Sequence, residues 1–138
     1  MAINIVKADI KFKLDNTRQV KEWLSRVVSE EKHFPGNINI VFTSDNYLRE
    51  INKEFLQKEY YTDVISFNYS SGAVVDGDIL VSVERVKENS EIFSTGFTNE
   101  LHRAVLHGLL HLLGYRDSNA DEKAAMRHKE EQYLSARF

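Results

Sequence analysis

The densest chemistry in the chain lies in one run, His107-Gly108-Leu109-Leu110-His111-Leu112-Leu113-Gly114-Tyr115-Arg116-Asp117. His107 and His111 stand one helical turn apart, separated by about 40° around the axis, so one metal ion can take a ring nitrogen from each. Gly114 has the character of a residue just past a helix end, free to adopt a positive φ and turn the chain. The turn brings Asp117 within reach of the same ion. Two histidines and a carboxylate, with a fourth position open to water, form a ligand set used by zinc hydrolases. Leu106, Leu109, Leu110, Leu112 and Leu113 make this a buried helix in any case. A single histidine there would read most simply as a satisfied core residue. Two at this spacing, followed by a glycine stop and a carboxylate, read as a metal site.

The rest of the chain has to position that helix. With 138 residues the chain reads as one domain, residues 1–138, large enough to bury roughly two thirds of its unfolded surface. The absence of cysteine removes disulfides and thiolate metal sites and fits a reducing compartment. There is no apolar run long enough to span a membrane and no signal-like N-terminus, so a soluble, cytoplasmic protein is expected. The net charge of −3 argues against broad, unaided nucleic-acid binding but leaves room for a small basic groove.

Along the chain, Ala2 to Leu14 reads as a half-exposed edge strand, with Lys7, Lys11 and Lys13 guarding it. Asn16-Thr17-Arg18-Gln19 resembles a capping box opening a helix with Val20, Trp23, Leu24, Val27 and Val28 as its apolar stripe. Pro35-Gly36 marks a loop before a strand from Asn37 to Thr43, with Ile38, Ile40 and Phe42 on one face. Ser44 is placed to cap a helix that buries Tyr47, Leu48, Ile51 and Phe55. Residues 62–69 and 74–83 read as a hairpin around Ser70-Ser71-Gly72, with a bulge or bend at Asp76-Gly77-Asp78. A helix from about Glu84 stops at Ser94-Thr95-Gly96, Thr98 caps the histidine helix, and Asn119 with Glu122 forms a capping box for a last helix carrying Met126, Tyr133 and Leu134. Strands and helices out of strict βαβ alternation give an α+β fold.

Two families share the histidine spacing. His107, His111, Gly114 and Asp117 match the metzincin-type peptidase pattern, but those enzymes need a glutamate base directly after the first histidine, where this chain has Gly108. The run also resembles the H-G-x-L-H-L-x-G-Y-D-H signature of the YbeY family of bacterial endoribonucleases, or rRNA maturation factors. Ile51-Asn52, the block Thr62-Asp63-Val64-Ile65-Ser66-Phe67, Gly77-Asp78-Ile79, Glu100-Leu101-His102-Arg103, and Met126 with Glu130 or Glu131 are similar to further family blocks, in the same order over about residues 40–134. The resemblance implies a zinc-dependent, single-strand-selective endoribonuclease. Its work would be ribosomal RNA maturation, including the 3′ end of the small-subunit RNA, and ribosome quality control, beside the ribosome or small-subunit assembly proteins. It also implies a single domain with a mostly parallel central sheet, one antiparallel strand and flanking helices.

By that resemblance, His107, His111 and Asp117 hold one zinc ion, which would acidify water and polarise a phosphodiester. Attack by hydroxide on phosphorus and deprotonation of the ribose 2′-OH both stay open. Two positions depart from the family. Asp117 stands where a third histidine is usual, leaving the water less acidic than three neutral imidazoles would. Leu56 stands where an arginine is usual and cannot neutralise a phosphate. Arg116, Lys58 and Arg103 are the candidates to replace that charge in the transition state, although Arg103 fits a structural ion pair equally well. A non-catalytic, zinc-bearing ribosome assembly factor is the alternative, and a metallopeptidase-like hydrolase a weaker one. Arg116→Ala is expected to slow cleavage of single-stranded RNA; an unchanged rate removes Arg116 as the compensating charge.

Overall fold

Helix α4, Phe97–Leu112, is the element around which the others pack, because ten of its residues are buried, from Glu100 to Leu112. The computed structural model describes residues 2–57 and 62–138. Among them the chain runs β1 (Ala2–Lys7), α1 (Thr17–Glu30), β2 (Phe34–Thr43), α2 (Asp45–Leu56), β3 (Val64–Asn68), β4 (Val74–Ser82), α3 (Val83–Phe93), α4 and α5 (Ala120–Ser135). The sheet order is β1-β2-β4-β3, with β1, β2 and β4 parallel and β3 antiparallel to β4. This is the α+β arrangement expected from the sequence, a mostly parallel sheet with one antiparallel strand.

Alternation along the strands divides the apolar residues between two faces. Ile38, Ile40, Phe42, Ile79 and Val81 join α1, α4 and α5 in the main core. Ile65 and Leu80 turn the other way and pack beneath Leu48 of α2. Trp23 of α1 donates from Nε1 to the Tyr133 carbonyl of α5 at 3.0 Å, tying two helices across the core.

Several local expectations hold. The α1 stripe is buried as read, Ser44 Oγ caps α2 by accepting from Tyr47 N, and Asn119 Oδ1 caps α5 by accepting from Glu122 N. Others are corrected. Strand β1 ends at Lys7, so Lys11 and Lys13 are not on it. Asn16 has φ 56° and its side chain makes no cap; Thr17 Oγ1 donates to the Leu14 carbonyl instead. Pro35-Gly36 lies inside β2, not in a loop, because the extra residue of the sheet falls between Pro35 and Ile38. There the Asn37 N–H leaves the ladder for the Asp76 carboxylate, 2.6 Å away. The irregularity expected in β4 at Asp76-Gly77-Asp78 is thus carried by its neighbour. In α2, Leu48 is buried but Tyr47 and Phe55 are exposed, since the helix covers only part of its sheet face. Gly96, not Thr98, caps α4.

Gly108 sets how closely α4 approaches the sheet. A Cβ there would lie 2.5 Å from Ile79 Cγ2, 3.1 Å from Ser66 Oγ and 3.2 Å from Val64 Cγ2. Ser66 Oγ uses the proximity to donate to the Gly108 carbonyl at 3.0 Å, and Asn68 Nδ2 reaches the helix-end carbonyl of Leu112 at 3.3 Å.

Further up α4, His102 is buried between Trp23 and Phe138, and Arg137 donates to its Nδ1 at 2.8 Å. Burial, reinforced by the Arg137 charge, pushes its pKa down to about 4.

Two predictions follow from this packing. Gly108→Ala gains about 1 kcal/mol of helix propensity but meets branched neighbours, at a cost of roughly 2–3 kcal/mol, so a net loss of about 1–2 kcal/mol is expected in the urea midpoint. For His102, the unfolded chain takes up a proton near pH 6.5, whereas the folded chain refuses it until about pH 4. Stability is therefore full above that window and falls as pH drops through it. Because His102→Phe removes this linkage, the stability of wild type relative to the variant should fall by roughly 3 kcal/mol from pH 7 to pH 4 in urea titrations.

Candidate metal centre

The C-terminal half of α4 delivers two imidazoles to one point. His107 Nε2 and His111 Nε2 lie 3.1 Å apart, and Asp117 Oδ2 lies 3.2 Å from the first and 3.5 Å from the second. Four-coordinate zinc with bonds of about 2.0–2.1 Å spaces its donors by about 3.3 Å, so the triangle has the right size for one ion.

The donor chemistry fits as well. His107 Nδ1 faces Glu130 Oε2 at 2.6 Å, and His111 Nδ1 faces the Tyr115 carbonyl at 3.1 Å. Neither acceptor carries a proton to give, so each ring keeps its N–H on Nδ1 and turns a lone pair outward from Nε2. Three acceptors and no donor then meet at one point, which is what a cation requires.

Asp117 and the Tyr115 carbonyl are placed by the helix end. Gly114 has φ 101°, its N–H bonds to the His111 carbonyl, and the Tyr115 N–H reaches back to Leu110, which together form a Schellman turn. The Tyr115 phenol then donates to Glu31 Oε1 at 2.6 Å, and Glu31 also accepts from Lys129 and Tyr133. Burial works against the Glu31 charge, but these three donors hold its carboxyl below the usual range.

Behind His107 the carboxylate of Glu130 is itself buried and fixed. Arg103 donates to Glu130 Oε1 at 3.1 Å and to Glu131 Oε1 at 2.9 Å, with Glu100 Oε1 at 3.8 Å. Burial would raise the Glu130 carboxyl, but His107 and Arg103 hold it low. His107 is pulled in the opposite sense: burial disfavours its cation, yet Glu130, helped by Asp117 and Asp63, leaves its pKa raised. At His111, burial and the neighbouring His107 charge lower it.

The three ligand candidates open onto a cleft of about 540 Å³ whose other walls include Asn52, Leu56, Asp63 and Ser66. Asp63 is half-buried there, and burial raises its carboxyl. Of the charged residues expected near the site, Arg103 sits in the ion network behind His107 rather than on the cleft wall. Arg116 is exposed beside Asp117, and Lys58 lies outside the described residues. Sequence reasoning did not assign Glu130, Tyr115, Glu31 or Asp63 a role. The available signal was a glutamate on the buried face of α5, where an unpaired carboxylate would be costly.

Residues 2–137 match the family model described as Endoribonuclease YbeY. Proteins of that name from Cytophaga hutchinsonii and Bacteroides fragilis are 40% and 39% identical, over 95% and 99% of this chain and 92% and 99% of their own lengths. A Thermotoga maritima protein of known solution structure shares the fold with a TM-score of 0.67 and 28% identity, over 96% of this chain and 87% of its own.

Glu130→Gln keeps the shape but weakens the acceptor that orients His107. Competition with a chromogenic chelator should then show metal affinity lowered by about 10- to 100-fold, with little change in the melting of the metal-free protein.

Proposed function

The chain belongs to the Endoribonuclease YbeY family, and on that premise we propose that residues 1–138 form one metal-dependent hydrolase domain that cuts RNA. The observation that carries the reading is the convergence of His107 Nε2, His111 Nε2 and Asp117 Oδ2 on one point of an open cleft. Zinc is the ion assigned to it, because the set is nitrogen and oxygen without thiolate and three ligands leave a position for water or substrate. Such an ion supplies positive charge beside the phosphodiester oxygens and acidifies water.

The chain's own residues do the rest. His107 and His111 present fixed lone pairs, Glu130 keeps the His107 proton on Nδ1, and Arg103 acts through Glu130 as a positioning residue. Asp117 adds a negative ligand, which favours cation binding over acidity of the water. Asp63 lines the same cleft with its carboxyl raised by burial, and on this reading it would give or take a proton during cleavage. Arg116 adds charge beside Asp117, and Lys58 follows Leu56 in sequence. The substrate class is single-stranded RNA, in ribosomal RNA maturation that includes the small-subunit 3′ end and in ribosome quality control. The setting is the cytoplasm, in company with the ribosome or small-subunit assembly proteins; no helix among the described residues is long and apolar enough to cross a membrane.

A peptidase reading has no support at Gly108, since its Cα faces Ile79 and Ser66, and a glutamate there would meet the sheet. Zinc-loaded wild type is expected to cleave single-stranded RNA, and identically purified His107→Ala to fall to background. Cleavage by neither would favour the assembly-factor role; equal cleavage by both would mean a contaminating nuclease.

A further inference from the structure

Among the described residues, the wall of the 540 Å³ cleft contains no lysine or arginine. An RNA strand brought to His107 and Asp117 therefore finds no side-chain cation among the described residues of that wall. A second groove of about 290 Å³ shares His107 and Asp117 with the cleft, and the rest of its lining is Lys123, Met126, Arg127 and Glu130, all on α5. Arg127 also lines a third groove, of about 310 Å³, that continues past Thr95 to Phe93.

The charges along this path differ in how they are used. Arg103 is taken up by Glu130 and Glu131, and Glu130 is in turn satisfied by Arg103 and His107. Lys123 and Arg127 are exposed, and among the described residues neither side chain has an ion pair or hydrogen bond. They stand one turn apart on α5, about 6 Å along its axis, which is the scale of the step between successive phosphates in an extended strand. Phe93 is 63% exposed at the end of the path.

We propose that Lys123 and Arg127 bind the phosphodiester backbone of single-stranded RNA on the α5 side of the metal centre, with Phe93 as the platform on which the next base stacks. The proposal rests on the endoribonuclease reading and adds to it the residues and direction of substrate binding. A basic track with an aromatic platform is how single strands are held without sequence preference. It also places the scissile bond between a cleft whose charged walls are Asp63 and Asp117 and a groove bordered by Lys123 and Arg127.

The test uses the full-length, zinc-loaded protein, a fluorescein-labelled 2′-O-methyl RNA strand for binding by anisotropy, and the unmodified strand for cleavage. Lys123→Ala/Arg127→Ala is expected to weaken binding about tenfold or more in low salt. It should also make the slope of log affinity against log salt shallower by about 1.4, the contribution of two single-strand phosphate contacts. Phe93→Ala should weaken binding about fivefold or more with the salt slope intact. Lys123→Arg/Arg127→Lys should keep the wild-type slope, and Lys21→Ala on α1 should behave as wild type. Wild-type affinity and slope in the double alanine variant, with RNA still cleaved, would overturn the proposal and leave the endoribonuclease reading standing. Failure of wild type to bind or cleave RNA would remove both.

Discussion

An imidazole offers a metal one nitrogen only when its proton is held on the other, and the whole centre depends on that constraint being met twice. At His107 the holder is a carboxylate, Glu130, brought by α5 and locked by Arg103. At His111 it is the Tyr115 carbonyl, brought by the helix end and locked through its phenol to Glu31 at the end of α1. The two histidines are neighbours on one helix, yet their orientation is supplied by the first and last helices of the described chain. Packing of α1 against α5, including the Trp23 to Tyr133 bond, is thereby coupled to metal geometry. The hydrophobic core and the site are one structure.

The same helix had to satisfy a second demand. Because α4 is buried on most of its circumference, it lies close to β3 and β4, and at Gly108 the approach leaves no room for a Cβ. In zinc peptidases the residue after the first histidine supplies a base; here that position faces the sheet, and its lack of a side chain is what permits the packing. The missing base and the close contact are one fact seen from two sides. The carboxyl that lines the cleft instead is Asp63, on the segment entering β3, and burial raises it.

What could be read from the sequence followed from local periodicity and local chemistry. The histidine pair, the glycine turn, Asp117, the α1 stripe and the caps at Ser44 and Asn119 all depend on residues within a turn or two of one another, and the structure places them together. What could not be read depends on pairing across the fold. The bulge appeared at Pro35 to Ile38 because its cause, the Asp76 carboxylate, lies on the neighbouring strand. Asn16 looked like a cap but took a left-handed conformation, and Tyr47 and Phe55 looked like core but lie where α2 overhangs its sheet. Glu130 and Glu31 were silent for the same reason, since a carboxylate declares its partners only when distant elements meet.

Electrostatics give the last constraint. The chain carries a net charge of −3, and the strongest cation near the site, Arg103, is spent on carboxylates. With Leu56 on the cleft wall and acidic Asp63 and Asp117 beside the histidines, the protein lining on that side is unfavourable to a polyanion. A bound dication reverses the sign at one point only. Substrate approach must therefore be dominated by that point and by whatever unpaired cations border it, and an apo protein should attract RNA poorly. On the proposed reading such an arrangement would tie RNA affinity to metal loading, because an ion held by His107, His111 and Asp117 would also cancel the charge that repels the strand.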